Sequence, residues 1–235
     1  MATYEHVVQM TFSQLQAEEF KYKEKWSETF FGNNHPVILE LGCGKGEYTV
    51  KLAKHYPEIN FIGVDIKGSR MWKGATQAKN EGLTNVGFLR TNIENIRMFF
   101  GEGEVAEIWL TFPDPQMKKA RKRLTATNFI SNYRQIMVPN GIIHLKSDSN
   151  FMYRYTEAMV AENKFEVIRQ TDDLYHSEIL DDVLSIQTFY EKQWLDRGLT
   201  IKYIAFRLSH QEPLREPDVE IEKDPYRSFG RSARE

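Results

Sequence analysis

Apolar residues gather in short runs along the chain, each closed by a polar residue or a turn signal. These runs are Val37 to Leu41, Phe61 to Asp65, a stretch near 86–89, Ala106 to Phe112, Ile142–Leu145, Phe165–Arg169 and Ile201–Leu208. Runs of this length without strict alternation fit strands buried on both faces. Between them the spacing turns helical, over about 46–55, 67–79, 127–136 and 149–162. Strand and helix in alternation predict an α/β fold with a doubly wound, mostly parallel seven-stranded sheet and an antiparallel last strand. Residues 1–35, with Phe12, Phe20, Trp26 and Phe30 among Glu and Lys, read as a helical N-terminal extension on a domain spanning 36–208. Residues 171–199 read as a polar and aromatic connection, and 209–235, rich in Pro, Glu and Arg, as a flexible C-terminal tail.

The strand ends carry the candidate chemistry. The first run leads into Gly42-Cys43-Gly44-Lys45-Gly46, where a strand-to-helix turn with no side chains lets a ligand lie against backbone. Asp65 closes the second run, where a carboxylate can accept hydrogen bonds from ribose hydroxyls. Asn92 follows the third, Asp114 sits between Pro113 and Pro115 after the fourth, and Asp148 ends the fifth. Asp and Asn are common turn residues, so each alone has a structural account; these four together with Glu40, five polar residues at the rim of one crevice, do not. The glycines fall as Gly-x-Gly-x-Gly with Glu40 before them and Glu47 after. Acids there would repel a pyrophosphate and suit a ligand carrying ammonium and sulfonium groups, which points to S-adenosylmethionine.

The formal net charge of −2 means that an anionic partner must be held by a local patch, and Lys118, Lys119, Arg121, Lys122 and Arg123 form one directly after Asp114. A single cysteine, Cys43, excludes an intrachain disulfide and suits a reducing cytoplasm. No apolar run is long enough to span a membrane, and the histidines show no metal-ligand spacing.

Leu-Glu-Leu-Gly-Cys-Gly-Lys-Gly (39–46) resembles the first motif of class I S-adenosylmethionine-dependent methyltransferases, which have a Rossmann-like fold. Phe-Pro-Asp-Pro (112–115) with its basic run resembles the bacterial-type tRNA (guanine-N7)-methyltransferases, though Gln116 and Met117 stand where that family commonly has Trp. The resemblance implies methyl transfer to the variable-loop guanine (position 46) of tRNA. It implies cofactor binding by Glu40, Gly42, Gly44, Asp65, Asn92 and Asp114, with Asp114 also at the reaction centre. Substrate contacts would come from Lys118, Asp148 and the segment Thr188, Phe189, Tyr190 and Glu191, and RNA contacts from Lys119, Arg121, Lys122 and Arg123. A cytoplasmic monomer or homodimer without metal is expected. Three other readings remain open on the residues themselves: a nicotinamide-dependent oxidoreductase, an exocyclic-amine methyltransferase, and an RNA-binding protein without catalysis.

Overall fold

Strand β2 (Val37–Leu41) lies near the middle of one sheet with all five residues buried, and the sheet grows outward from it on both sides. The computed structural model describes residues 4–210 and 213–227. Strands β1 (Val7–Gln9), β3 (Asn60–Asp65), β4 (Val86–Arg90), β5 (Val105–Thr111), β6 (Met137–Ser147), β7 (Val167–Thr171) and β8 (Lys202–Arg207) join it in the order β1-β4-β3-β2-β5-β6-β8-β7. From β1 to β6 all neighbours are parallel, and β8 runs antiparallel to both β6 and β7. The connections β2 to β3 to β4 step one way and β5 to β6 the other. The order therefore reverses between β2 and β5, where open α/β sheets bind ligands.

Alternate residues of the strands feed two cores. Ile38, Phe61 and Trp109 face the helices α2 (Glu47–His55) and α3 (Gly68–Asn80), whose Val50, Leu52, Met71 and Ala75 are buried against them. Leu39, Ile62 and Ile108 face α4 (Thr127–Arg134) and α5 (Asn150–Glu162), with Phe129, Ile130 and Met159 completing that side.

Three features differ from the sequence expectation. The sheet has eight strands, because Val7, Val8 and Gln9 pair in parallel with Phe88, Leu89 and Arg90. Three residues are too few to show a period, and the strand is held by its neighbour's ladder. The rest of the N-terminal segment is partly helical, with α1 (Phe12–Ala17) capped by Thr11 and Gln14 and a π-helical turn at Trp26–Phe31. Trp26 is fully buried, donates from Nε1 to the Phe99 carbonyl at 2.9 Å and stacks on Phe100. The connection 171–199 contains a helix, α6 (Phe189–Asp196). Finally, residues 213–227 lie packed along α4 and α5: Arg215 and Asn163 exchange two 2.8 Å hydrogen bonds, and Asp224 is buried. Residues 228–235 lie outside the described residues.

Candidate active site

The parallel register of β4, β3, β2, β5 and β6 brings their carboxyl ends to one edge, and a crevice of about 370 Å³ opens there between β2 and β5. Glu40, Gly42, Gly44, Asp65, Asp114, Thr188 and Tyr190 line it. A second lobe of about 230 Å³ continues past Gly42 and Asp65 to Asn92, Ile93 and Leu124. A hollow of about 840 Å³ beside Arg121, Thr127 and Glu216 is larger, but no strand end lines it. The acids, rather than the size of the hollow, pick out the site.

The glycine turn is shaped for close approach. Gly42 has φ +82° and a Cβ built on it would meet nothing within 4 Å, so its bare backbone faces the open crevice. Gly46, at φ +69°, faces inward instead, where a Cβ would strike the Phe88 ring at 2.5 Å. One glycine therefore serves the ligand side and the other serves packing. Asp65 ties the turn to β3: its Oδ2 accepts from the Gly44 N–H at 2.9 Å and its Oδ1 from the Lys67 N–H at 2.7 Å. The carboxylate is thus fixed in direction while its other lone pairs face the crevice lobes. Asn92 is exposed at the start of a 3₁₀ turn, in the lobe next to Asp65.

Glu40 is 3% exposed, and its carboxylate accepts hydrogen bonds from the Thr49 N–H at 2.8 Å and from the hydroxyls of Thr49 and Thr111. Burial is the main cause that raises its pKa, to about 7; the Thr111 and Thr49 hydrogen bonds oppose it and Asp65 adds to it. An unfolded glutamate titrates near 4.5, so between these values the folded chain holds the extra proton. That contribution to stability is complete below about pH 4.5 and is lost as pH rises through about 7. Relative to Glu40→Gln, wild type is expected to lose up to roughly 3 kcal/mol between about pH 5 and about pH 8. Urea titrations of both chains at the two pH values check this, and parallel pH profiles would refute it.

Asp114 stands exposed at the tip of β5, its Oδ1 accepting from the Gln116 N–H at 3.0 Å. Phe112 and Gln116, on either side, adopt φ of +51° and +47°, uncommon for side chains of their size. Backbone held this way beside a cavity is a mark of a functional loop. Lys118, Lys119 and Arg121 are exposed; Lys122 pairs with Glu94 at 2.7 Å. Arg123 turns inward, its guanidinium 4.4 Å from the centre of the Tyr155 ring, and braces the loop.

The structure places the Thr188–Glu191 segment in two roles. Thr188 caps α6 and, with Tyr190, lines the crevice, while Phe189 is exposed beneath Lys45, 3.8 Å from its ring centre. Glu191 is fully buried: it completes the capping box and meets Lys146 Nζ at 2.7 Å and the Tyr175 hydroxyl at 2.6 Å. Lys146 also donates to the carbonyls of Leu184 and Ile186, which uses all three of its protons. Glu47 accepts from the Phe189 N–H at 2.9 Å, docking the start of α6 onto α2. Asp148 is 1% exposed, with Tyr226 against it. Thr111, Lys146 and Tyr226 were missed in the sequence. A lysine inside an apolar strand was the available signal for Lys146; nothing marked the other two.

A family model described as "Putative methyltransferase" matches residues 34–204. The tRNA (guanine-N(7)-)-methyltransferase of Bacteroides thetaiotaomicron is 61% identical over 234 residues, covering 100% of this chain and 93% of that protein. The chain belongs to this family. The tRNA (guanine-N(7)-)-methyltransferase of Porphyromonas gingivalis is 56% identical and covers 100% of this chain and 98% of its own. Among solved structures, the 16S rRNA methyltransferase KamB superposes with a TM-score of 0.57 at 16% identity, over 84% of this chain and 92% of that one, a likeness of fold alone. The family model leaves out β1 and residues 213–227, whereas both of these relatives align over 100% of the chain and so include its two ends. Among the described residues no cluster of His, Cys, Asp and Glu could hold a metal, and no helix is long and apolar enough to cross a membrane.

Proposed function

We propose that the chain transfers a methyl group from S-adenosylmethionine to N7 of the variable-loop guanine of tRNA. The observation that carries this reading is the crevice at the sheet reversal, where a bare glycine turn, a fixed Asp65 and an exposed Asp114 meet beside a basic loop. The residues fit the cofactor. Asp65 and Asn92 would hold the ribose and adenine, the Gly42 and Gly44 backbone would give close contact, and Glu40 would favour its cationic end. When bound, the cofactor supplies an electrophilic methyl group on sulfur.

Guanine N7 carries a lone pair and no proton, so no residue needs to act as a base and the chain contributes position and charge. Asp114 stabilises the positive charge that develops on the base. Asp114 also offers an acceptor for the N1–H and N2 amino group, donors that adenine lacks on that edge, whereas Asp148 ends β6 on the same sheet edge but is 1% exposed and lines neither lobe of the crevice. Lys118, Lys119 and Arg121 meet RNA phosphates, and this binding weakens steeply with salt. Reaching N7 in folded tRNA requires taking the base out of its stack. The buried Cys43 thiol is pushed well up by burial and plays no nucleophilic part.

The test is transfer of labelled methyl from S-adenosylmethionine to unmodified tRNA, followed by nucleoside analysis. Label should appear as 7-methylguanosine and vanish when the variable-loop guanine is replaced by adenine. Label in another nucleoside, or persistence after that replacement, would overturn the assignment.

A further inference from the structure

The crevice carries positive charge on two sides. The basic loop leads into α4, on one face of the sheet, and leaves Lys118, Lys119 and Arg121 exposed. Lys45 and Arg70 line the crevice from the other face, where α2 and α3 pack. Their nearness follows from the way α3 meets the glycine turn. A Cβ on Gly74 would lie 2.7 Å from the Lys45 carbonyl oxygen and 3.0 Å from Gly46 Cα, so α3 touches the turn there with no side chain between. Arg70 precedes Gly74 by about one helical turn and so stands on the same stripe of α3, at the crevice end.

Helix α6 supplies the rest of this side. Phe189 and Tyr190 open the helix with 46% and 37% of their surface exposed, and Tyr190 lines the crevice. The Lys45 ammonium lies 3.8 Å from the centre of the Phe189 ring and 5.7 Å from that of Tyr190. Among the described residues neither Lys45 nor Arg70 forms an ion pair. The acids beside them are engaged by backbone: Glu47 accepts from the Phe189 N–H, and Asp65 from the N–H groups of Gly44 and Lys67. Docking α6 does not require two rings in solvent, because Glu47 and the buried Glu191–Lys146 pair already hold it. Exposed rings interleaved with cations are what a single-stranded nucleic acid engages, its bases stacking on the rings and its phosphates meeting the charges.

We propose that Lys45, Arg70, Phe189 and Tyr190 form a second RNA-binding wall, which takes an unpaired nucleotide next to the target guanine: the cations meet its phosphates and the rings stack its base. The inference rests on the reading of tRNA as the substrate. With the basic loop holding RNA on the other side, the strand is drawn across the mouth of the crevice, and a base taken out of its stack is kept beside Asp114. An ammonium resting on an aromatic face exchanges a weak partner for a charge-assisted one when a phosphate arrives.

The experiment compares wild type with the double variant Lys45→Gln/Arg70→Gln and with Phe189→Ala, all on the full chain. Equilibrium binding of unmodified tRNA is measured across salt concentrations, beside binding of S-adenosylmethionine, thermal melting and methylation. The charge variant should bind tRNA with a logarithmic salt slope shallower by about 2, and about tenfold more weakly at low salt. Phe189→Ala should weaken tRNA binding about tenfold at an unchanged slope. Both should keep cofactor affinity within about twofold, and a melting temperature within about 2 °C of wild type. An unchanged slope in the charge variant, or full tRNA affinity in Phe189→Ala, overturns the proposal. A matching fall in cofactor affinity assigns the two cations to the carboxylate of the methionine end, and a larger drop in melting temperature makes Phe189 a brace for α6; either result overturns it as well. If the variants bind and methylate tRNA as wild type does, only the second wall is removed. If wild type itself methylates no tRNA, the reading of the substrate has failed and the proposal goes with it.

Discussion

Glu191→Ala is expected to destabilise the fold by about 3–5 kcal/mol, the range for removing one partner of a buried ion pair. Both members of the Glu191–Lys146 pair are fully buried. Desolvation pulls the Lys146 pKa down and Glu191 pulls it back up, so the charged form depends on its partner. Removing the carboxylate leaves an ammonium facing two carbonyls without its carboxylate partner, and it also removes the Glu191 half of the α6 capping box. Urea denaturation of Glu191→Ala, Lys146→Met and a Glu191→Leu/Lys146→Met double variant checks the assignment. The double variant should be more stable than either single change, because no unpaired charge stays buried. Additive losses would show that the pair does not act as a unit. Activity should fall with stability, since Thr188 and Tyr190 reach the crevice only while α6 is docked.

Asp114→Ala should act in the opposite way, lowering kcat for tRNA methylation by about 10²–10³-fold while changing stability by no more than about 0.5 kcal/mol. The side chain is exposed and, among the described residues, its hydrogen bond is to the Gln116 N–H two residues away. Little of the fold depends on it, whereas the electrostatic role depends on its charge. Asp114→Asn keeps an acceptor for Gln116 and loses the charge, so it should resemble the alanine variant in kcat and wild type in melting temperature. If the asparagine variant retains full activity, the carboxylate is not stabilising charge on the base and serves only to shape the loop.

The sheet was legible because its strands are buried on both faces and so appear as unbroken apolar runs. The acids at their ends were legible because a parallel register sends every carboxyl end to one edge. What escaped was held by single hydrogen bonds. Strand β1 is three residues long, and α6 has no apolar stripe, its buried residue being Glu191 itself. Thr188 and Glu191 form a capping box, a helix-start signal that spacing alone could have disclosed. Their reading as a substrate element hid it. The packing of residues 213–227 was illegible for a related reason: Glu216 and Asp224, polar residues in a polar segment, anchor it through partners more than sixty positions away, apart from the nearer contact of Arg215 with Asn163. Pattern reports which faces are apolar and is silent on which distant hydroxyl a carboxylate will find.

The packing of residues 213–227 against Asp148 also sets an order in time. Domains begin to fold as they are synthesised, from the N-terminal end. Every strand from β1 to β8, the glycine turn and Asp65 precede residues 213–227. A nascent chain can therefore build the lobe around Asp65 and Asn92 while Asp148 still lacks the Tyr226 hydroxyl. The surroundings of Asp148 are completed after the sheet, by residues translated later than every described strand.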